Sequence, residues 1–414
     1  MTPTPTPSTS QPRVALLAVP SEILNDPRVR REIDWLTGEG YVVDTLGYGP
    51  HPTPKVRTHF ELLPPTVWES SPWRQLVLHL FMTNAAKFRR IIEQRIPAAA
   101  AEAVRSGSYD LIVFNDRELA PWSRNAHVFG PIAGTHIHLD MHEYFTGRMR
   151  ERTPFGLVAW SWQRWLSRRV TDAQFTTRST VSQTLADLYV RDHGMVRPAV
   201  VRNIPEYVEQ EPQPVDPARI RLIYHGLAHW ERGLRDLIDT MSLLDDRFEL
   251  TLMLTGSDEM IDEVRRIAAP FGERIIMRPG VPVKEIARTI NEYDLAMMVY
   301  RPVSPNVRYM LPNKLFEAVQ GRIGVVTGRN DVMIAEHAPY GFGVVVEPWG
   351  PEKTAELLNS LTAERIDALK QAAHAAAPLL HSEIEKVNFL RTVGALSAEA
   401  TSDDAVDAPA EGRA

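Results

Sequence analysis

The sequence predicts an α/β protein built from two doubly wound, largely parallel sheets with a cleft between them. Three observations lead there. Short apolar runs of buried-strand length alternate with helix-period segments along most of the chain. That alternation is interrupted by one Pro-, Glu- and Gln-rich stretch, "EYVEQEPQPVDPA". The 414 residues also exceed what a single hydrophobic core usually serves.

In chain order, residues 1–12 are read as a disordered tail, because repeated Pro and Thr suit neither helix nor strand. The segment lacks the basic start and apolar core of a secretory signal. The first domain, 13–205, opens on the strand-like "RVALLAV", then a loop "PSEILNDP", a helix "RVRREIDWLTGEG" and a strand "YVVDTLGYG". "YDLIVFND" and "THIHLDMHE" read as strands ending in polar residues. Between and after them come helical patterns, among them "IPAAAAEAVRSG" and "FGLVAWSWQRWLSRRVTDA". "AQFTTRSTVSQTLADLYVRDHG" adds a short strand and a helix, and "PAVVRNIP" closes this half.

The linker is 206–218. The second domain, 219–378, carries the strand-like runs "IRLIYHG", "FELTLML", "RIIMRPG", "DLAMMVY" and "IGVVTG", separated by helices such as "RGLRDLIDTMSLL" and "KEIARTINEY". Residues 379–396 read as a helix free to return to the first domain, and 397–414 as a small acidic tail.

Composition narrows the function. Net charge is −6, from 46 basic and 52 acidic residues, which argues against a nucleic-acid partner. Zero cysteines exclude disulfides, thiolate zinc sites and a cysteine nucleophile. No apolar run approaches the ~20 residues of a membrane span. A cytoplasmic protein is expected, either free or peripheral on the inner face of the cell membrane. The stretch "WRQLVLHLFMTNAAKFRRIIEQRI" leaves both open: it reads either as a membrane-surface helix or as an amphipathic helix packed in the first domain.

In open α/β sheets ligands bind beyond the carboxyl ends of the strands. In the second domain that edge carries the loops after "IYHG", "LMLTG", "MRPG" and "MMVY", which places His225, Gly226, Gly256 and Val281 on one rim. The stretch "YRPVSPNVRYMLPNKLFEAVQGRIGVVTG" predicts a helix starting at Pro312, its free N–H groups turned toward the cleft and suited to an anion. Leu315, Phe316 and Val319 form its buried face, which leaves Lys314 and Glu317 on or near the exposed side. Two readings of that pair stand. One is a surface i,i+3 ion pair worth ~0.2–0.5 kcal/mol. The other is a phosphate at the helix start and a carboxylate accepting from sugar hydroxyls one turn on.

"LPNKLFEAVQGRIGVV", with "YHGLAHWERGLRDLI" before it, resembles the nucleotide-binding domain of retaining GT-B glycosyltransferases of family 4, the glycosyltransferase group 1 type. In the first half "NDPRVRREIDWLTGEGYVVDTLG", "LDMHEYF" and "VVRNIP" resemble landmarks of the same family. The resemblance covers about Arg13 to Leu396. It implies two Rossmann-like domains and a sugar moved with retention from a UDP- or GDP-sugar to a glycan or lipid-linked acceptor, as in cell-envelope polysaccharide synthesis.

It also implies residue roles. Glu317 would hold the donor's ribose, and Asn306, Pro312, Asn313 and Lys314 would lie along the donor with Gly226, His225, Gly256 and Val281. Arg232 would neutralise the departing diphosphate, and His142 would meet the donor sugar. His142, Arg232 and Glu317 are thus the catalytic candidates. Asn25, Arg28, Asp116, Asp140 and Glu143 are candidates for the acceptor, Asn25 and Arg28 for its phosphate or hydroxyls. Asp140 and Glu143 read equally as caps of the next helix. No metal and no cofactor beyond the nucleotide-sugar co-substrate are expected.

Two departures from the family stand out. Tyr309 occupies the place of the first glutamate of an E-x7-E pair, with Ser304 or Asn306 as substitutes, and Leu227 replaces an arginine whose diphosphate contact His225 would supply. Two other readings remain. One is a non-catalytic donor-binding scaffold of the same fold; the other is a nucleotide-sugar epimerase, which shares the architecture.

Overall fold

The computed structural model describes residues 12–64, 81–132, 134–144, 154–300 and 305–396, with backbone alone for 154–159, 305 and 306. Two parallel sheets organise them. The first contains β1 (Val14–Glu22), β2 (Val42–Tyr48), β3 (Val56–Glu61), β4 (Leu111–Asn115), β5 (His136–Met141), β6 (Thr177–Thr180) and β7 (Ala199–Val200), in the order β3-β2-β1-β4-β5-β6-β7. The second contains β8 (Ile220–Leu227), β9 (Phe248–Thr255), β10 (Ile275–Pro279), β11 (Leu295–Met298), β12 (Gly324–Gly328) and β13 (Gly343–Val346), in the order β10-β9-β8-β11-β12-β13. Each order turns back beside its first strand, which makes both sheets doubly wound.

Alternate residues of the central strands serve cores on opposite faces. Leu16 and Ala18 of β1, with Ile112 and Phe114 of β4, belong to one apolar cluster; Ala15 and Leu17, with Leu111 and Val113, belong to another. This is why these strands read as unbroken apolar runs. The helix Pro27–Gly38 follows β1 and is started by Asp26, whose side chain accepts from the N–H groups of Arg28 and Val29. Its Ile33, Trp35 and Leu36 share a cluster with Phe389 and Leu390 of the helix Ser382–Thr392 and with Val393 just after it, the Trp35 and Phe389 rings 5.6 Å apart. The last described helix therefore covers the first domain, although the chain has already built the second.

The strands β3 and β13 are missing from the sequence reading. β3, "VRTHFE", is an edge strand with one buried residue, and β13 has four residues, so neither shows a buried-strand run. The helix expected from Pro312 starts one residue later, at Asn313. Pro312 is its extended cap, with φ −75° and ψ 140°, and no side chain caps the end.

The domains touch around the helix that follows β12. Tyr309, Leu311 and Val332 of the second domain lie against a core cluster of the first, and the Tyr309 ring meets Tyr144 edge-on at 5.6 Å. Arg202, between the sheets, pairs with Glu336 at 2.9 Å and Glu385 at 3.0 Å.

Of the amphipathic stretch proposed for a membrane surface, residues up to Leu80 lie outside the described residues. The rest forms the helix Asn84–Ile91, whose Phe88 and Lys87 are buried, with Phe88 6.3 Å from the Trp165 ring. Among the described residues no helix is long and apolar enough to cross a membrane.

Candidate active site

In the second sheet every strand is parallel to its neighbours, so the loops after β8, β9, β10 and β11 share one edge. The helix Asn313–Gln320 begins on that edge and presents its uncapped N-terminus there.

Two glycines let cationic side chains in. Gly226 has φ +115°, and a Cβ on it would lie 2.6 Å from Lys314 Cε and 2.7 Å from Nζ. Any side chain there displaces the ammonium, which stands 4.5 Å from the centroid of the Tyr224 ring. Gly233 has φ +75°, and its missing Cβ would meet the Val299 carbonyl oxygen at 2.7 Å. Its absence lets the turn Trp230–Arg232 lie against the chain just after β11.

Arg232 is exposed and donates weakly to the Met310 sulfur at 3.7 Å. Among the described residues neither Arg232 nor Lys314 forms an ion pair. Burial, and then the charge of Arg232, lowers the Lys314 ammonium to about 8. Two cations and a helix N-terminus converge here against a single carboxylate, Glu317, which is turned to His225, and the excess of positive charge favours an anion.

Glu317 differs from the expected surface placement. It is buried, and its Oε2 is 2.7 Å from Nε2 of His225, itself only 3% exposed. The i,i+3 ion pair with Lys314 is therefore not formed, because the carboxylate turns inward to the end of β8. His225, proposed for the missing diphosphate contact, is buried and has its Nε2 engaged by Glu317. Gly256 and Val281 stand on the same rim, Gly256 beside Ala228. Asn306 and Ser304, proposed in place of the first acid, lie outside the described side chains.

In the first domain the carboxyl ends of β4, β5 and β6 meet in a buried polar network. Arg28 donates through Nε and Nη2 to the two carboxylate oxygens of Asp140, the latter at 2.7 Å, and through Nη1 to the Val201 carbonyl at 2.8 Å. Asp140 also accepts from Ser179 and from Nε2 of His142 at 2.9 Å. Burial alone would raise the Asp140 carboxyl, but Arg28 and His142 hold it well below the usual carboxylate range. Asn115 donates to Glu32 at 2.9 Å and lies 3.1 Å from His142 Nε2. Asp116, with φ +66°, accepts from the His142 N–H and stands 3.4 Å from Nδ1.

Burial works against a charged His142, but Asp116 and Asp140 outweigh it and push the imidazole up to about 9. Burial, and then Asp140, pushes Glu32 up to about 8.

This network corrects two acceptor assignments. Arg28 and Asp140 are 3% and 0% exposed and bond each other, so neither has surface to offer an acceptor. Asn25 is exposed but donates to Glu22 at 3.0 Å. Asp116 and Glu143, in contrast, line a hollow of about 290 Å³ with Val19, Pro20, Ser21, Asp26 and Glu118.

Sequence reasoning missed Glu32 and Asn115. Glu32 stands one helical turn after Arg28 and Asn115 just before Asp116, so the signal was a polar residue on an otherwise apolar helix face or strand end.

No family model and no curated protein matches the sequence. The fold is nevertheless matched by solved structures along nearly their whole length. A glycosyltransferase from Rickettsia africae ESF-5 aligns with TM-score 0.64 at 12% identity, over 95% of this chain and 100% of its own. Sucrose-phosphate synthase from Thermosynechococcus elongatus aligns with TM-score 0.66 at 14% identity, over 92% of this chain and 98% of its own. WaaG, a glycosyltransferase involved in lipopolysaccharide biosynthesis, aligns with TM-score 0.60 at 12% identity, over 91% and 99%. The architecture is GT-B: two Rossmann-like domains, matching these glycosyltransferases in fold.

Proposed function

We propose that this protein is a glycosyltransferase that moves a sugar from a nucleotide-sugar to a hydroxyl acceptor, with retention. One observation carries the reading: Arg232, Lys314 and an uncapped helix N-terminus converge, unpaired, at the carboxyl edge of the second sheet, with the Glu317 carboxylate one turn along the helix. A nucleoside diphosphate fits that arrangement end to end. The diphosphate lies against the cations, and the ribose hydroxyls donate to Glu317, whose Oε2 His225 holds in place. The donor is taken as a UDP- or GDP-sugar.

In the proposed reaction the bond from the anomeric carbon to the diphosphate oxygen breaks, and its electron pair leaves with the nucleoside diphosphate. An acceptor oxygen bonds to the same carbon, and its proton passes to the departing phosphate. Departure is the hard step, and fixed positive charge lowers its barrier most where water is excluded. Arg232 and Lys314 provide that charge from the protein itself, so the reading invokes no metal. His142, held at the rim by Asp140, Asn115 and Asp116, is placed against the sugar.

The acceptor enters the hollow of the first domain. Asp26, Asp116, Glu118 and Glu143 line it, so it suits a hydroxyl-rich, uncharged acceptor end and disfavours a phosphate there. The cell-envelope setting follows WaaG, whose fold this chain shares.

The test is calorimetric binding of uridine and guanosine diphosphates, with donor turnover, in wild type, Arg232→Ala and Glu317→Gln. Both variants are expected to weaken binding by about tenfold or more, the loss of about one charge-assisted hydrogen bond. Wild-type affinity for neither nucleotide would refute the reading; binding without turnover on any acceptor would favour a scaffold.

A further inference from the structure

Tyr300 follows β11 at the carboxyl edge of the second sheet, two residues beyond the last strand residue, Met298. It is 5% exposed, and among the described residues its hydroxyl has no hydrogen-bond partner. Buried tyrosine hydroxyls normally find one, because an unmade bond in a low-dielectric site is costly. Tyr224 shows the usual case, donating to the Leu227 carbonyl at 3.2 Å.

The surroundings indicate what the missing partner is. The groups acting electrostatically on the Tyr300 phenol are Tyr224, Arg232 and Glu317; burial dominates and, with Tyr224 and Glu317, raises it, so the hydroxyl keeps its proton and remains a donor. Arg232 reaches this neighbourhood because Gly233, which has no Cβ, closes on Val299 and Tyr300, a Cβ there lying 3.7 Å from Tyr300 Cα. Lys314 stands over the Tyr224 ring. The neighbourhood thus holds cations, an aromatic face and one unused donor, and its carboxylate, Glu317, is engaged by Nε2 of His225, so the donor calls for a further acceptor that brings negative charge.

We propose that the Tyr300 hydroxyl donates a hydrogen bond to the diphosphate of the bound nucleotide, as a binding residue beside Arg232 and Lys314. This rests on the nucleotide-sugar reading of the same site and adds a contact to it. The hydroxyl is left unpaired in the free protein and is satisfied on binding, so the interaction contributes its full difference to affinity.

The test is Tyr300→Phe, which removes one oxygen and leaves the ring packing in place. Calorimetry would compare uridine and guanosine diphosphates, and the nucleosides alone, in wild type, Tyr300→Phe and Glu317→Gln. The expected result is a diphosphate Kd raised about tenfold in Tyr300→Phe, with nucleoside affinity unchanged and a melting temperature equal to or above wild type. Equal loss for the nucleosides would place the partner on ribose or base and overturn the assignment. A lowered melting temperature with unchanged diphosphate affinity would show a structural water as the partner and overturn it too. Wild type binding neither diphosphate would remove the underlying reading. Wild-type binding lost in Glu317→Gln but kept in Tyr300→Phe would overturn this inference alone.

Discussion

On the proposed function, Lys314 should make nucleotide binding depend on pH in a way that Arg232 cannot. Its ammonium titrates at about 8 in the free protein, lowered by burial first and by Arg232 second, with Glu317 acting in the opposite direction. A diphosphate beside it would favour the charged form, so binding at high pH takes up a proton. Between about pH 7 and about pH 9.5, a group titrating near 8 falls from ~90% to ~3% charged, so affinity should fall by up to ~30-fold if only the charged form binds well. The other groups facing this ammonium are Arg232, Tyr224 and Glu317, and burial raises Tyr224 to about 12, above the window. The perturbation is Lys314→Gln, and the assay is calorimetry of uridine and guanosine diphosphates across that pH range, repeated in buffers of different ionisation heat to count protons. Wild type should lose affinity on the alkaline side, and the variant should bind weakly at every pH with a flat profile. A flat wild-type profile, or the same slope in both proteins, would refute the placement of Lys314 against the diphosphate.

Gly226→Ala puts a Cβ 2.6–2.7 Å from the Lys314 side chain at φ +115°, so it should cost ~1–3 kcal/mol in chemical denaturation and abolish nucleotide binding. Asp140→Asn leaves buried Arg28 with only the more distant Glu32, at 3.6 Å, as a carboxylate neighbour and should destabilise the fold by up to ~3–5 kcal/mol, read as a lower denaturation midpoint. Glu32 titrates at about 8 folded against 4.5 for an unperturbed carboxyl, so the stability it contributes is complete below about 4.5 and is lost as pH rises through about 8. The melting temperature of Glu32→Gln should therefore gain on that of wild type from about pH 5 to about pH 8, a difference in which the opposing rise that both proteins take from buried His138 and His337 cancels. A residual decline toward about pH 9 belongs to His142, whose folded value is also raised.

Local signals in the sequence carried the layer order and the position of the site edge, because buried parallel strands are written as apolar runs and helix starts by their flanking residues. "RVALLAV" became β1 and "IRLIYHG" became β8, and Arg232 before a glycine and Lys314 at a helix start came to the same rim. What was not legible depends on partners far apart in the chain. Glu317 looked like a surface residue because His225, which turns it inward, is 92 residues away. Arg28 looked available to an acceptor because Asp140, which occupies it, is 112 residues away. Neither pairing leaves a local period. Tyr300 went unnoticed for a related reason: a hydroxyl without a partner is visible only once its surroundings are known.

Tyr309 illustrates how the two sites are tied together. Its ring meets Tyr144, two residues beyond His142. On the same segment Leu311 lies against the first domain's core, as does Val332 from the helix Asp331–His337. Asn330 joins these pieces: its Nδ2 donates to the Val307 and Met310 carbonyls, while its Oδ1 accepts from the N–H groups of Val332 and Met333. The lead-in to the Lys314 helix is therefore held from both sides, by Asn330 within its own domain and by aromatic and apolar contact with the other. An ionised acid at 309 could not make that contact without being desolvated against Tyr144. The tyrosine thus makes a contact that couples the position of the Lys314 helix start to the segment carrying His142.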